Sequence, residues 1–248
     1  MIIVYMREDK ILVIIPCYNE YERLKLKYFK QHLDSNKNHL FLFVDDGSSD
    51  GTIKKLNGLK IENPNQINVY ALTKNKGKGR AIREAVINYC QYQNVDYVGF
   101  IDADLAIPLS QINKLYDSIK KSNKKIAITS RNKVSGVIKY KENPSFFRKT
   151  LSKISNLVIR NLFSINVTDT QCGCKLFSKE IIKELYDKPF ISSWLFDLEI
   201  LLRYNKLNFS PVQEVQLDRL NENSSSQFTK KDLFKLGIET IKIFFHYK

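Results

Sequence analysis

Short apolar runs separated by helically spaced segments fill the first half of the chain. Ile11–Ile15, Leu40–Val44, Ile67–Leu72, Tyr97–Ile101 and Lys125–Thr129 are apolar stretches of strand length. Glu20–Leu33, Thr52–Leu59, Arg80–Tyr92 and Ser110–Lys121 lie between them with helical patterns. Strands covered on both faces lose the inside–outside alternation and read as continuous apolar runs. Their alternation with helices predicts βαβ units and a mostly parallel central sheet flanked by helices, the α/β class. Ligands of such sheets bind beyond the carboxyl ends of the strands. Polar clusters stand at those ends: Pro16–Glu20, Asp45–Gly51, Lys74–Arg80 and Asp102–Asp104. Four clusters at four strand ends predict one crevice.

The second half changes pattern. Phe147, Leu151, Ile154, Val158 and Leu162 recur at helical spacing and predict an amphipathic helix with basic flanks. Helical stretches follow near Lys179–Tyr186 and Leu195–Tyr204, then a strand-like run near Phe209–Leu217. Asn221–Gln227 is a polar, Ser-rich loop, expected to be mobile. Lys230–Lys248 carries Phe234, Ile238, Ile241 and Phe245 on one stripe. No internal repeat or linker marks a second independent domain.

The length, 248 residues, suits one large α/β domain, and 43% hydrophobic residues suit a folded chain. No apolar run approaches the roughly 18 residues of a membrane span, and the first ten residues lack a secretory pattern. Both point to the cytosol. Cys17, Cys90, Cys172 and Cys174 lack zinc spacing and read as free thiols. A net charge of +14 attracts polyanions: nucleic acid, an anionic membrane surface or phosphorylated substrates. An acidic crevice argues against nucleic acid.

The candidate chemistry is acidic. Asp102 and Asp104, two apart at a strand end, project the same way and repel unless a cation lies beside them. Mg²⁺ or Mn²⁺ suits few carboxylates completed by substrate phosphate oxygens. In Val44–Thr52, Asp46 is the candidate for a base or ribose contact, and Asp50 for capping the next helix. Lys74–Arg80, with Lys76 within it, is a basic, glycine-containing loop opening a helix and suits an anion, though glycines there also permit close helix packing. It does not fit the Walker A spacing.

Ile14–Glu20, Val44–Thr52 and Asp102-Ala103-Asp104, in that order, resemble the inverting family 2 glycosyltransferases of the GT-A (nucleotide-diphospho-sugar transferase) fold. Asn75–Gly79, Ser130-Arg131, Asp169–Phe177 and Trp194–Glu199 are similar to the polyprenyl-phosphate sugar synthases, most of all the dolichyl-phosphate β-glucosyltransferase branch. The resemblance spans about residues 11–220. It implies a GT-A domain over 1–220, followed over 221–248 by the loop and a C-terminal amphipathic helix.

The resemblance implies a nucleotide-sugar donor, with a UDP-sugar favoured, held through Pro16, Tyr18, Glu20 and Asp46, with Lys76 and Asp102 beside it. It implies Mg²⁺ or Mn²⁺ with Asp104 as direct ligand and Asp102 near the ribose or metal. A polyprenyl-phosphate acceptor would be gripped by Arg131 and Arg148, with Gln171, Asp169 and Asp197 near the sugar and acceptor. Ala106 stands where the mannose branch has Gln, which disfavours a mannose donor. A phosphate acceptor needs no general base; a glycan hydroxyl, the alternative acceptor, would need Asp197 or Asp169. The basic helix around 147–162 and the C-terminal stripe are candidates for docking on the cytosolic face of a membrane. A membrane-protein partner or a second copy of the chain are the other partners considered.

Overall fold

The structure is a computed structural model. It describes residues 8–90, 94–134, 138–140, 161–163, 165–218, 220–222 and 230–248, the side chains of 132–134, 138–140, 220–222 and 230–234 excepted. Arg148, the helix expected around 147–162 (but for its last two positions) and most of the 221–227 loop therefore lie outside the described residues.

The strands are β1 (Ile11–Cys17), β2 (His39–Asp45), β3 (Ile67–Ala71), β4 (Tyr97–Ile101), β5 (Ile126–Val134), β6 (Ile138–Tyr140), β7 (Cys174–Ser178), β8 (Gln213–Leu217) and β9 (Leu220–Glu222). The helices are α1 (Leu26–Ser35), α2 (Thr52–Glu62), α3 (Lys78–Asn88), α4 (Gln111–Ser122), α5 (Ile182–Tyr186), α6 (Phe196–Lys206) and α7 (Lys230–Tyr247). Among the described residues, seven strands form one sheet in the order β3-β2-β1-β4-β7-β5-β8, and β6 pairs with β9 apart from it. β1 lies parallel to β2 and β4, and β2 parallel to β3. β7 runs antiparallel between β4 and β5.

Both faces of the sheet are covered, as the continuous apolar runs predict. Ile11, Val13 and Ile15 point to one side and pack with Phe29, Leu33, Leu56, Leu59 and Leu115 of α1, α2 and α4. Leu12 and Ile14 point to the other and pack with Ala81, Ile82 and Ala85 of α3, and with α5 and α6. α7 joins this second layer through the wholly buried Ile243. Strand order reverses at β1, with β2 and β3 laid down on one side of it and β4 on the other, parallel to it. That is a topological switch point, where a crevice opens.

Several elements differ from the sequence expectation, among them the short paired strands β6 and β9, the second of which takes Asn221 and Glu222 from the expected loop. The helix expected from Glu20 begins at Leu26, because Glu20–Lys25 is a turn tied to the next loop: Glu20 N donates to Thr52 Oγ1 at 2.9 Å and Tyr21 N to Asp50 Oδ2 at 3.0 Å. The strand expected over Phe209–Leu217 is confined to Gln213–Leu217. β7 was not anticipated. Its second residue is Lys175, which breaks the apolar run that marks a buried strand.

Lys175 is nevertheless 1% exposed, and its ammonium meets Asp197 Oδ1 at 2.5 Å and the Cys172 carbonyl at 2.8 Å. Asp197, on the first turn of α6, is also buried. This pair joins strand to helix. Removing one partner strands a buried charge, at a cost of about 3–5 kcal/mol. Lys175→Met should therefore lower urea-unfolding stability by that amount, and adding Asp197→Leu should recover most of it. Equal stability of Lys175→Met and wild type would show that the pair does not hold β7 to α6.

Candidate active site

The crevice opens at the carboxyl ends of β1, β2 and β4. It has a volume of about 360 Å³, and Pro16, Tyr18, Glu20, Asp46, Asp102 and Asp104 all line it. Five of the six expected donor residues thus meet in one cleft, with both expected metal ligands. The sixth, Lys76, faces a neighbouring hollow and pairs with Glu84 at 2.9 Å.

Local chain geometry sets each carboxylate. Asp46 takes the backbone N–H groups of Lys76 and Gly77, both at 2.8 Å, so it pins the loop after β3 to the end of β2. Gly47 permits this approach: a Cβ there would lie 2.5 Å from the Lys74 carbonyl carbon. Asp50 takes the Thr52 N–H at 3.0 Å, as its expected helix-start role requires, although the capping position itself is Gly51. Asp102 pairs with Lys78 at 2.5 Å. Asp104 accepts the Ala106 N–H at 3.0 Å across Leu105, whose φ is +54°. A leucine in the left-handed region costs roughly 1–2 kcal/mol, and such strain is concentrated at functional sites.

The cleft disfavours its own charges. Burial lifts the carboxyls of Glu20, Asp46 and Asp104 above the ordinary carboxylate value. Arg23, at 2.7 Å from Glu20, opposes the rise at Glu20 without cancelling it. Glu20 Oε2 is buried and has no hydrogen-bond partner among the described residues. At Lys78 burial would favour the neutral amine, but the charges of Asp102, Asp197 and Asp104 outweigh it and hold the ammonium more firmly than usual. Among the described residues no group of three or more His, Cys, Asp or Glu could enclose a metal. Two carboxylates in a cleft, one raised by burial and by its neighbour, fit a divalent ion that takes its remaining ligands from a substrate's phosphates.

The other expected residues lie elsewhere. Asp169 is buried behind Arg131, which donates to it from Nε (2.7 Å), Nη2 (2.9 Å) and the backbone N–H (3.0 Å). Burial would raise this carboxyl, but the guanidinium outweighs burial and holds it below the usual range. Asp169 lines neither the cleft nor the hollow. Gln171 and Asp197 line the hollow, together with Trp194. The four cysteines are buried and unpaired. Burial raises the Cys90 thiol to about 12 and the Cys172 thiol to about 11, which leaves both unreactive. Sequence reasoning missed Lys78 as a site residue, although it lies in a loop already singled out. It also missed Lys175 and Arg23, whose partners are not visible from spacing.

Residues 12–186 match the family described as Glycosyl transferase family 2. The chain belongs to glycosyl transferase family 2. It is 30% identical to a dolichyl-phosphate beta-glucosyltransferase of Dictyostelium discoideum over 93% of this chain and 76% of that one. A dolichyl-phosphate beta-glucosyltransferase of Drosophila melanogaster is also 30% identical, over 91% and 74%. The transferase has the GT-A fold. It superposes on Mycobacterium tuberculosis glucosyl-3-phosphoglycerate synthase in complex with Mn²⁺, UDP and phosphoglyceric acid with a TM-score of 0.67, at 15% identity, covering 95% of this chain and 76% of that one. Mannosyl-3-phosphoglycerate synthase of Rubrobacter xylanophilus gives 0.66 at 16% identity, covering 95% and 73%. Among the described residues of this transferase, no helix is long and apolar enough to cross a membrane.

The position of Asp102 rests on Gly173. A Cβ at Gly173 would lie 2.1 Å from Asp102 Oδ2. Gly173→Ala should therefore displace the Asp102 carboxylate and weaken Mn²⁺-dependent UDP binding by at least about tenfold, while melting temperature falls little. Calorimetric titration of UDP with Mn²⁺ checks this. Unchanged affinity would mean that Asp102 has no part in the metal–diphosphate site.

Proposed function

We propose that this transferase moves a hexose from a UDP-sugar to the phosphate of a polyprenyl carrier lipid, with inversion at the anomeric carbon. The nucleotide diphosphate occupies the cleft of Asp46, Glu20, Asp102 and Asp104. The relatives named dolichyl-phosphate beta-glucosyltransferases support a glucosyl donor and a polyprenyl-phosphate acceptor. The fold neighbours holding UDP with Mn²⁺ or Mg²⁺ support the nucleotide and the ion. Asp104 and Asp102 would hold that ion, which would neutralise charge on the departing diphosphate.

One observation carries the choice of acceptor. Asp169 and Asp197, the two candidate bases, are each engaged by a cation, Arg131 and Lys175. The guanidinium holds the Asp169 carboxyl below its usual range, which makes it a poor proton acceptor, and Asp197 spends Oδ1 on the Lys175 ammonium. A glycan hydroxyl needs such a base, whereas a phosphate monoester is already ionised at neutral pH. An acceptor phosphate oxygen attacks the anomeric carbon as the bond to the donor diphosphate breaks on the opposite face. Lys78, part-exposed and adjoining Asp102, adds positive charge where the diphosphate departs.

The lipid also has to be reached. On α7, Ile238, Ile241 and Phe245 are 39%, 58% and 80% exposed, with Lys242 exposed on the same helix and Lys248 exposed just past its end. An apolar ridge among lysines suits peripheral docking on the cytosolic face of an anionic membrane. The side chain of Phe234, the remaining member of the stripe, is not described.

Two measurements test these readings. With UDP-glucose and Mn²⁺, the chain should glucosylate farnesyl phosphate, lose turnover with a chelator, and lose roughly 10²–10³-fold in Asp104→Asn. Transfer to an oligosaccharide hydroxyl but not to farnesyl phosphate would reverse the acceptor assignment. In sedimentation, vesicles with 30% phosphatidylserine should retain the chain, and Ile241→Glu with Phe245→Glu should release it. Retention unaffected by the double change would remove α7 from the docking surface.

A further inference from the structure

α7 carries a carboxylate where its packing asks for an apolar residue. Glu239 is 8% exposed and shares the inner face with Ile243, one turn further along. Its partners are all neutral. It accepts from Ser192 Oγ, from Ser193 Oγ at 3.2 Å and from Trp194 N at 3.2 Å. No Lys or Arg pairs with it among the described residues. A buried carboxylate without a cation costs free energy that an apolar side chain of similar size does not. Nor is Glu239 needed to anchor the helix. Ile243 sits in the core, and the Tyr247 hydroxyl meets Arg203 and Glu199. What Glu239 adds is a fixed position for the turn that it grips.

That turn leads directly into α6. From the α6 side, the fully buried Glu199 takes the N–H groups of Ser192 at 2.7 Å and Ile191 at 3.1 Å. Ser192 Oγ, held by Glu239, also takes the N–H of Leu195 at 2.6 Å, and Leu195 is the residue that caps α6. Phe196 comes next. Its ring lies so close to Gly79 that a Cβ there would be 2.5 Å away, and 5.7 Å from the Lys78 ammonium. Lys78 in turn pairs with Asp102 in the donor cleft. An unbroken run of contacts therefore joins α7 to the cleft: Glu239, Ser192, Leu195, Phe196 and Lys78.

We propose that Glu239 is a positioning residue for glycosyl transfer, which through the 191–195 turn and Phe196 sets where the Lys78 ammonium stands. Glu239 does not line the cleft itself. The proposal rests on the leaving diphosphate lying beside Lys78, and it names the element that keeps the ammonium there. A charge aimed in advance loses much of its effect when displaced by about 1 Å. α7 is then part of the working unit and not only a surface helix. The uncompensated cost of burying Glu239 is the cost of that alignment.

The test is a double-mutant cycle on calorimetric affinity for UDP with Mn²⁺. Lys78→Met should weaken UDP binding about tenfold, the scale of one hydrogen bond to a charged group. Glu239→Leu should weaken it at least about threefold, yet cause no further loss when added to Lys78→Met. Ser192→Ala cuts the same link from the other end and should reproduce Glu239→Leu. Glu239→Gln keeps an acceptor for the turn and should retain wild-type affinity. Trp194 is the only tryptophan of the chain, so its fluorescence reports the turn directly. Acrylamide quenching should rise in Glu239→Leu and Ser192→Ala, but not in Glu239→Gln or Lys78→Met. Equal losses from Glu239→Leu with and without Lys78→Met would make its role purely structural and overturn the proposal. Wild-type UDP affinity in Ser192→Ala, in a chain that melts normally, overturns it too, and decides the matter if Glu239→Leu does not fold. The cycle needs no acceptor, so a failure to glucosylate farnesyl phosphate counts against the acceptor reading alone. Unchanged UDP affinity in Lys78→Met overturns the placement of the diphosphate beside Lys78, and this proposal with it.

Discussion

Carboxylates brought to one edge of a parallel sheet repel one another, and the rest of the site is organised around that repulsion. β1 and β2 end side by side, with Cys17 opposite Asp45, and β4 pairs with β1 on its other side. Whatever follows these strands is crowded together. The loop after β3 supplies the compensation. Its backbone amides hold Asp46, and Lys78 at the start of α3 holds Asp102. Glu20 and Asp104 receive less, and burial lifts both carboxyls. The cleft is thus partly neutralised by its own lysines and left with a remaining need for positive charge. A substrate-bound divalent ion meets such a need, and a site of this kind binds metal with its substrate better than metal alone.

The sequence showed the parts of this arrangement that depend on strand ends. A continuous apolar run gives the direction and end of a buried strand, and in a parallel sheet the ends share an edge. This is why Pro16, Tyr18, Glu20, Asp46, Asp102 and Asp104 could be placed together before any coordinates. What it could not show depends on pairing between distant residues. Arg131 and Asp169 are 38 positions apart, and Lys175 and Asp197 are 22 apart. Each pair consumes a side chain that, read singly, looked ready to bind an acceptor or to take a proton. The antiparallel β7 was hidden for the same reason. A lysine in the middle of a strand signals exposure unless its partner is known.

These two pairs also separate scaffold from chemistry in the second half of the chain. Asp197 is held to β7, so α6 starts at a fixed distance from the end of β4. Gly79 then meets Phe196 so closely that a Cβ would lie 2.5 Å from its ring. Phe196 and Phe100 both lie 5.7 Å from the Lys78 ammonium. A lysine placed between two aromatic faces and an aspartate loses much of its rotational freedom, and a charge fixed in advance acts without further ordering when a leaving group develops. Both α3 and α6 are therefore needed to position a single ammonium, which explains why Lys78 cannot be read from its loop alone.

α7 shows how one helix serves two environments. Its inner face is bound by Ile243 in the core, by Glu239 on Ser192 and Trp194, and by Tyr247, whose hydroxyl accepts from Arg203 Nε at 2.9 Å. Its outer face exposes Ile238, Ile241 and Phe245. A helix fixed this firmly on one side does not need its outer apolar residues for folding. Exposed apolar side chains gain nothing in water, so their concentration on one ridge calls for an apolar surface outside the described chain. The ridge ends at Ile238, three residues from Lys235, which lines a basic hollow with Lys74 and Arg80. Trp194, whose ring lies 5.6 Å from the Lys235 ammonium, stands at that boundary between apolar and charged surface.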